Sequence, residues 1–150
     1  MKLVSLIVSA LMTIAGIQAQ AATGTGKAKI KVVNGIVITK VSDLEFNEAA
    51  PGAPEETVAA DATETAQNAS FTIQGEPNRS ISLSLPQDGM VNMTGPGDQI
   101  AVNQFTSNNP TQIEAGGTSA LYVGATRAAL SATQTAGDYE GDFTVDVVYQ

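Results

Sequence analysis

The chain contains no cysteine, no histidine and no tryptophan, and its aromatics are four Phe and three Tyr in 150 residues. Without Cys or His there is no zinc finger, disulfide scaffold, thiol nucleophile or imidazole general base. Basic residues are also scarce: seven Lys and Arg face fifteen Asp and Glu, a formal charge of −8. Nucleic-acid binding needs clustered cations to neutralise phosphates, so that class is set aside. No Gly-rich phosphate loop, Ser-His-Asp set or nucleophile elbow is present, and nothing calls for a cofactor or a resident metal. These absences leave a small acidic domain of about 15.4 kDa without catalytic equipment, and an enzyme is not expected.

What is present begins with a targeting signal. Met1-Lys2 precedes an apolar run from Leu3 to Ile17, and Ala19-Gln20-Ala21 follows. A positive start, a short apolar core and an A-x-A site predict a signal peptide over residues 1–21, cleaved after Ala21. The run is shorter than the roughly 20 residues a membrane helix needs. The product is therefore expected to be exported.

Beyond Ala22 the apolar pattern has period two, the signature of strands with one buried face. Lys27-Ala28-Lys29-Ile30-Lys31-Val32 alternates strictly, Ile36–Val41 is β-branched, and Ser70–Gln74 and Ser80–Leu85 alternate cleanly. Ile100, Val102 and Phe105 mark a further strand whose parity breaks before 105. Ala120–Ala125 and Arg127–Thr133 are weaker, and Tyr139–Tyr149 reads as the longest strand. Gly-, Pro-, Asn- and Asp-bearing turns separate these runs. The spacing predicts an all-β fold, an immunoglobulin-like antiparallel β-sandwich. Residues 47–68, poor in large apolar side chains, are expected to form a mobile surface loop.

The C-terminal strand holds the most information. Asp138, Glu140, Asp142 and Asp146 fall on one face. A calcium site is one reading, but carboxylates spread along a flat strand seldom converge on one ion, and a solvated outer face is favoured. Three Asn-x-Ser/Thr sequons, at Asn68, Asn78 and Asn92, read as chance products of an Asn-, Ser- and Thr-rich chain. The opposite face presents Tyr139, Gly141, Phe143, Val145, Val147 and Tyr149, an apolar stripe reaching the penultimate residue.

With Gly137 fourteen residues from the end and Tyr149 penultimate, the stretch Ala136–Tyr149 resembles the ending of archaic chaperone–usher pilins and related secreted subunits. The front end is similar to theirs too. Lys27–Val32 resembles their donor segment, and Val41-Ser42-Asp43-Leu44-Glu45-Phe46 their first domain strand. Asn47 stands where that strand usually carries Gly, the Cys pair common in archaic pilins is missing, and the middle of the chain adds no support. The resemblance implies a sandwich lacking its last strand, with a pilin-like domain over 34–150 preceded by a donor extension over 22–33. In such a scheme Ala28, Ile30 and Val32 enter a groove on a neighbouring subunit. Gly137, Tyr139, Phe143, Val145, Val147 and Tyr149 form the acceptor strand, which a periplasmic chaperone fills first and an outer-membrane usher then exchanges. The implied function is a structural subunit of a bacterial pilus or fimbria serving cell adhesion, in the periplasm in transit and then at the cell surface. Against it, Asn34-Gly35 between two β-runs is a strong hairpin signal. If residues 27–33 pair within their own domain, the alternative is a self-contained secreted or surface binding module without enzymatic activity.

Overall fold

Alternating and β-branched runs become strands wherever a partner edge is within reach. The structure, a computed structural model, describes residues 23–150; the expected signal peptide lies outside the described residues. Eight strands form: β1 (Val37–Ser42), β2 (Glu56–Val58), β3 (Ala69–Gln74), β4 (Ile81–Ser84), β5 (Val91–Met93), β6 (Ile100–Ser107), β7 (Thr118–Arg127) and β8 (Asp146–Tyr149). There is no helix among the described residues. The fold is all-β, with every ladder antiparallel. One sheet runs β1-β3-β7-β6-β5, with β2 joining β7 beyond the end of β3; the other pairs β4 with β8. Residues 111–113 bond to the remaining edge of this second sheet, through Ile81 N to Thr111 O (3.0 Å) and Ile113 N to Arg79 O (2.9 Å). The result is a sandwich whose core holds the fully buried Ile73, Ile113, Leu121 and Val123. Each such side chain contributes about 1.5–3 kcal/mol by leaving water. A second cluster, Val91, Val102 and Ala125, lies beside the first, and Leu44, Phe105 and Phe143 pack against both.

The broken parity at Phe105 has a local cause. The β6–β7 register shifts between Asn103 and Thr106, and Gln104 sits there with φ 52°. Asp88 Oδ1 accepts the Gln104 N–H at 2.7 Å, and Asn103 Oδ1 accepts the Gly89 N–H at 2.7 Å. The extra residue forms a bulge, and a bulge re-aims the side chain that follows it. Phe105 thereby reaches the core.

Five expectations need correction, the first being Arg127–Thr133: β7 ends at Arg127 and residues 128–133 form no strand. Lys27–Val32 is not a strand: residues 23–36 carry none, and Ile30 and Val32 are 87% and 84% exposed. Nor does the Asn34-Gly35 hairpin form: β1 pairs with β3 alone, and residues 23–36 add no strand to its other edge. Tyr139–Tyr149 pairs continuously only over β8, with one isolated bridge at Glu140. The segment changes neighbours on its way, from Thr94 beside β5 to β4 in the other sheet, and a strand crossing between layers cannot keep one ladder. Finally, residues 47–68 hold β2 and bury Val58, Ala60 and Asn68. A Cβ at Gly124 of β7 would run into the Val58 carbonyl, so glycine there is what lets β2 and Ala60 lie so close. Asn68 organises the rest: its Nδ2 donates to Ala60 O (2.9 Å) and Thr63 O (3.0 Å), and its Oδ1 accepts the Thr65 N–H (2.9 Å). A buried side chain spent on three such bonds is structural.

Candidate functional site

Where β1 ends, the chain leaves β3. Ser42 Oγ accepts the Ser70 N–H (3.1 Å) and donates to Asn68 O (3.2 Å), and residues 43–46 then run along the mouth of the sandwich. Opposite lie residues 137–143. Between these two walls is a cavity of about 730 Å³, with Phe71 and Ala69 of β3, Val91 and Met93 of β5, and Ile100, Val102 and Phe105 of β6 among its lining. Leu44 and Phe46 enter from one wall, Tyr139 and Phe143 from the other. Phe46, Phe71, Met93, Phe105, Tyr139 and Phe143 are only half-buried, so the groove exposes core-type side chains. Each wall is bonded to the neighbour at its back: Glu45 N donates to Gln67 O (2.8 Å), while Glu140 and Thr94 exchange bonds of 2.8 and 3.0 Å.

The wall at 137–143 depends on its first residue. Gly137 has φ +146°, and a Cβ on it would come within 2.7 Å of the Pro96 ring. A side chain there meets both a strained backbone and a clash. Tyr139 Oη donates to Thr135 O at 2.8 Å, which holds its ring at the groove edge. Phe143 joins the groove to the core, with Phe71 edge-on at 6.2 Å and Phe105 at 5.3 Å.

The rim is acidic. Asp43, Glu45 and Glu48 stand on one wall and Asp138, Glu140 and Asp142 on the other, all exposed. Two cations share the lining, Lys40 and Arg127, and both are engaged. Lys40 Nζ lies 2.6 Å from Asp43; the hydrogen bond and charge of Asp43 hold its ammonium above the ordinary 10.5, with Asp142 across the groove adding to them. Arg127 Nη2 lies 3.2 Å from Glu56. Among the described residues no three Asp, Glu, His or Cys side chains are grouped so as to hold a metal ion.

Of the acceptor residues named from sequence, Gly137, Tyr139 and Phe143 line the groove. Val145, Val147 and Tyr149 continue the same face but pack into the first core cluster. Tyr149 is anchored there: its Oη accepts the Glu76 N–H (2.7 Å) and donates to Asn34 O (2.8 Å), with the Arg79 guanidinium 4.8 Å from its ring centroid. The donor residues Ala28, Ile30 and Val32 are exposed. The sequence does not reveal the groove floor, because Phe71 and Phe105 read as ordinary strand positions, Met93 falls in no expected strand, and nothing local marks a core residue that lacks a cover.

Fold and groove define a class, an all-β antiparallel sandwich with an open apolar groove beside its C-terminal segment. The family model described as a domain of unknown function (DUF4402) matches residues 36–149, and the chain belongs to that family. Comparison with curated proteins and with solved structures gives no match.

Proposed function

We propose that this chain is an exported structural subunit of a bacterial surface filament, joined to its neighbours by donor-strand complementation. The observation that carries the reading is the groove between residues 43–46 and 137–143, where half-buried core side chains lack a cover. Exposed core beside strand edges is an aggregation hazard unless something fills it. An added β-strand from another chain is the general solution, with backbone bonds for affinity and pockets for alternate side chains. Residues 22–33 of a second copy offer such a strand. Burying Ile30 and Val32 in the neighbour contributes about 3–6 kcal/mol before ordering costs. The contact is head-to-tail and does not close on itself, so it propagates as a filament. Before assembly a periplasmic chaperone occupies the groove, and an outer-membrane usher exchanges it for the next subunit. No catalytic step is required.

The test is size-exclusion chromatography and unboiled SDS gels of the chain from Ala22, beside one starting at Asn34. Ladders of SDS-resistant oligomers that vanish on truncation are expected. A stable monomer that loses its stability on truncation overturns the filament. It leaves the second reading, a self-contained secreted binding module.

A further inference from the structure

The alternation that places apolar residues in the groove also fixes where the charges go. On the first wall Leu44 and Phe46 point in, while Asp43 and Glu45 are exposed. On the second wall Tyr139 and Phe143 point in, and Asp138, Glu140 and Asp142 are exposed. The segment 27–32 has the same period with the opposite sign: Ala28, Ile30 and Val32 share one face, and Lys27, Lys29 and Lys31 the other. Half of the six basic residues after Ala21 fall on this one segment.

We infer that the occupant of the groove, residues 27–32 of a second copy of this chain, is selected by charge as well as by apolar fit. Its three lysines form the middle row of an acid–lysine–acid ladder between Asp43 and Glu45 on one side and Asp138, Glu140 and Asp142 on the other. This inference rests on the donor-strand reading and adds a specificity element to it. Opposite charges on adjacent strands attract when their side chains share a face, and like charges there repel. Among the described residues lining the groove the exposed cation is Lys40, and it is already paired with Asp43. A lysine-faced strand relieves that repulsion, whereas an apolar strand with acidic outward residues increases it. Discrimination of this kind acts on wrong partners and on the encounter rate.

The test uses a fluorescent peptide covering residues 22–34, added to the form starting at Asn34, which keeps nearly all of the compact unit Val32–Gln150 and brings no donor of its own, with association followed by anisotropy. Three further peptides carry Lys27→Glu/Lys29→Glu/Lys31→Glu, Ile30→Asp, or no charge change but scrambled order. The expected result is binding of the native peptide with an on-rate that falls about tenfold between roughly 0.05 and 0.5 M salt, as screening dictates. The charge-reversed peptide should associate at least about tenfold more slowly. It should recover on a chain carrying Glu45→Lys and Glu140→Lys, a rescue that general attraction to an acidic protein does not produce. If the native peptide binds, Ile30→Asp abolishes binding, and neither salt nor charge reversal changes the rate, the ladder is overturned and the groove reading stands. If the native peptide fails to bind, or Ile30→Asp or the scrambled peptide binds as well, the groove reading falls and the ladder with it.

Discussion

Phe143 shows how much a single side chain carries here. It packs against both core clusters and touches Phe71 and Phe105, so it belongs to the hydrophobic core and to the groove. Truncating a buried Phe to Ala costs about 3–5 kcal/mol, and half-burial lowers that figure. Phe143→Ala should therefore destabilise the chain by about 2–3 kcal/mol, read as a lower urea midpoint, and should also weaken peptide binding in the groove. Tyr149 contrasts with it. Its ring packs on the core while its hydroxyl ties Glu76 to Asn34, so it secures the end of β8. Alternation in the sequence pointed to both residues, but it could not separate the groove lining from the core.

Among the elements, β2 departs furthest from expectation. Three residues long, it lies in a stretch whose composition reads as a loop, yet it pairs with β7 through Glu56–Arg127, Thr57–Thr126 and Val58–Ala125. What holds it is tertiary: the Gly124 gap, the Thr57–Thr126 hydroxyl contact at 2.8 Å, and the buried Arg127 guanidinium reaching Glu56. Burial pushes the Glu56 carboxyl up, but hydrogen bonds from Asn47 and Arg127, with the Arg127 charge, outweigh it and leave it below the ordinary 4.5. A carboxyl lowered in the folded state adds stability that is fully present above its unfolded value and is lost as pH falls through the folded value. Glu56→Gln should thus cost about 1–2 kcal/mol at neutral pH. Denaturant titrations repeated downward from pH 4.5 should show the two proteins converging. A constant gap across that range would mean that Glu56 acts by packing alone.

For the whole molecule, the proposed assembly makes stability a property of concentration. Anything that binds only the folded state stabilises it by mass action, about 2.7 kcal/mol at a hundredfold excess over Kd. The melting temperature of the chain from Ala22 should rise by several degrees as its concentration is raised about a hundredfold. The form starting at Asn34 should melt at one temperature throughout, because it offers no donor. Equal behaviour of the two forms in differential scanning calorimetry would remove strand exchange from the account.

Period-two alternation was enough to establish an all-β chain, to locate β1, β3, β4 and β6 within a residue or two, and to assign inward and outward faces along 139–149. These are properties of neighbours in sequence, and strand geometry reads them directly. It could not say which edges pair. The strand expected at Lys27–Val32 has every local qualification and no ladder, while β2 has almost none and is held by β7. Residues 139–145 alternate as well as any strand, but they cross between sheets and pair at a single bridge. Hydrogen-bond partners and missing covers are long-range facts, set by how the layers close. The groove, left between two walls that are each bonded to the neighbour behind, exists only at that level.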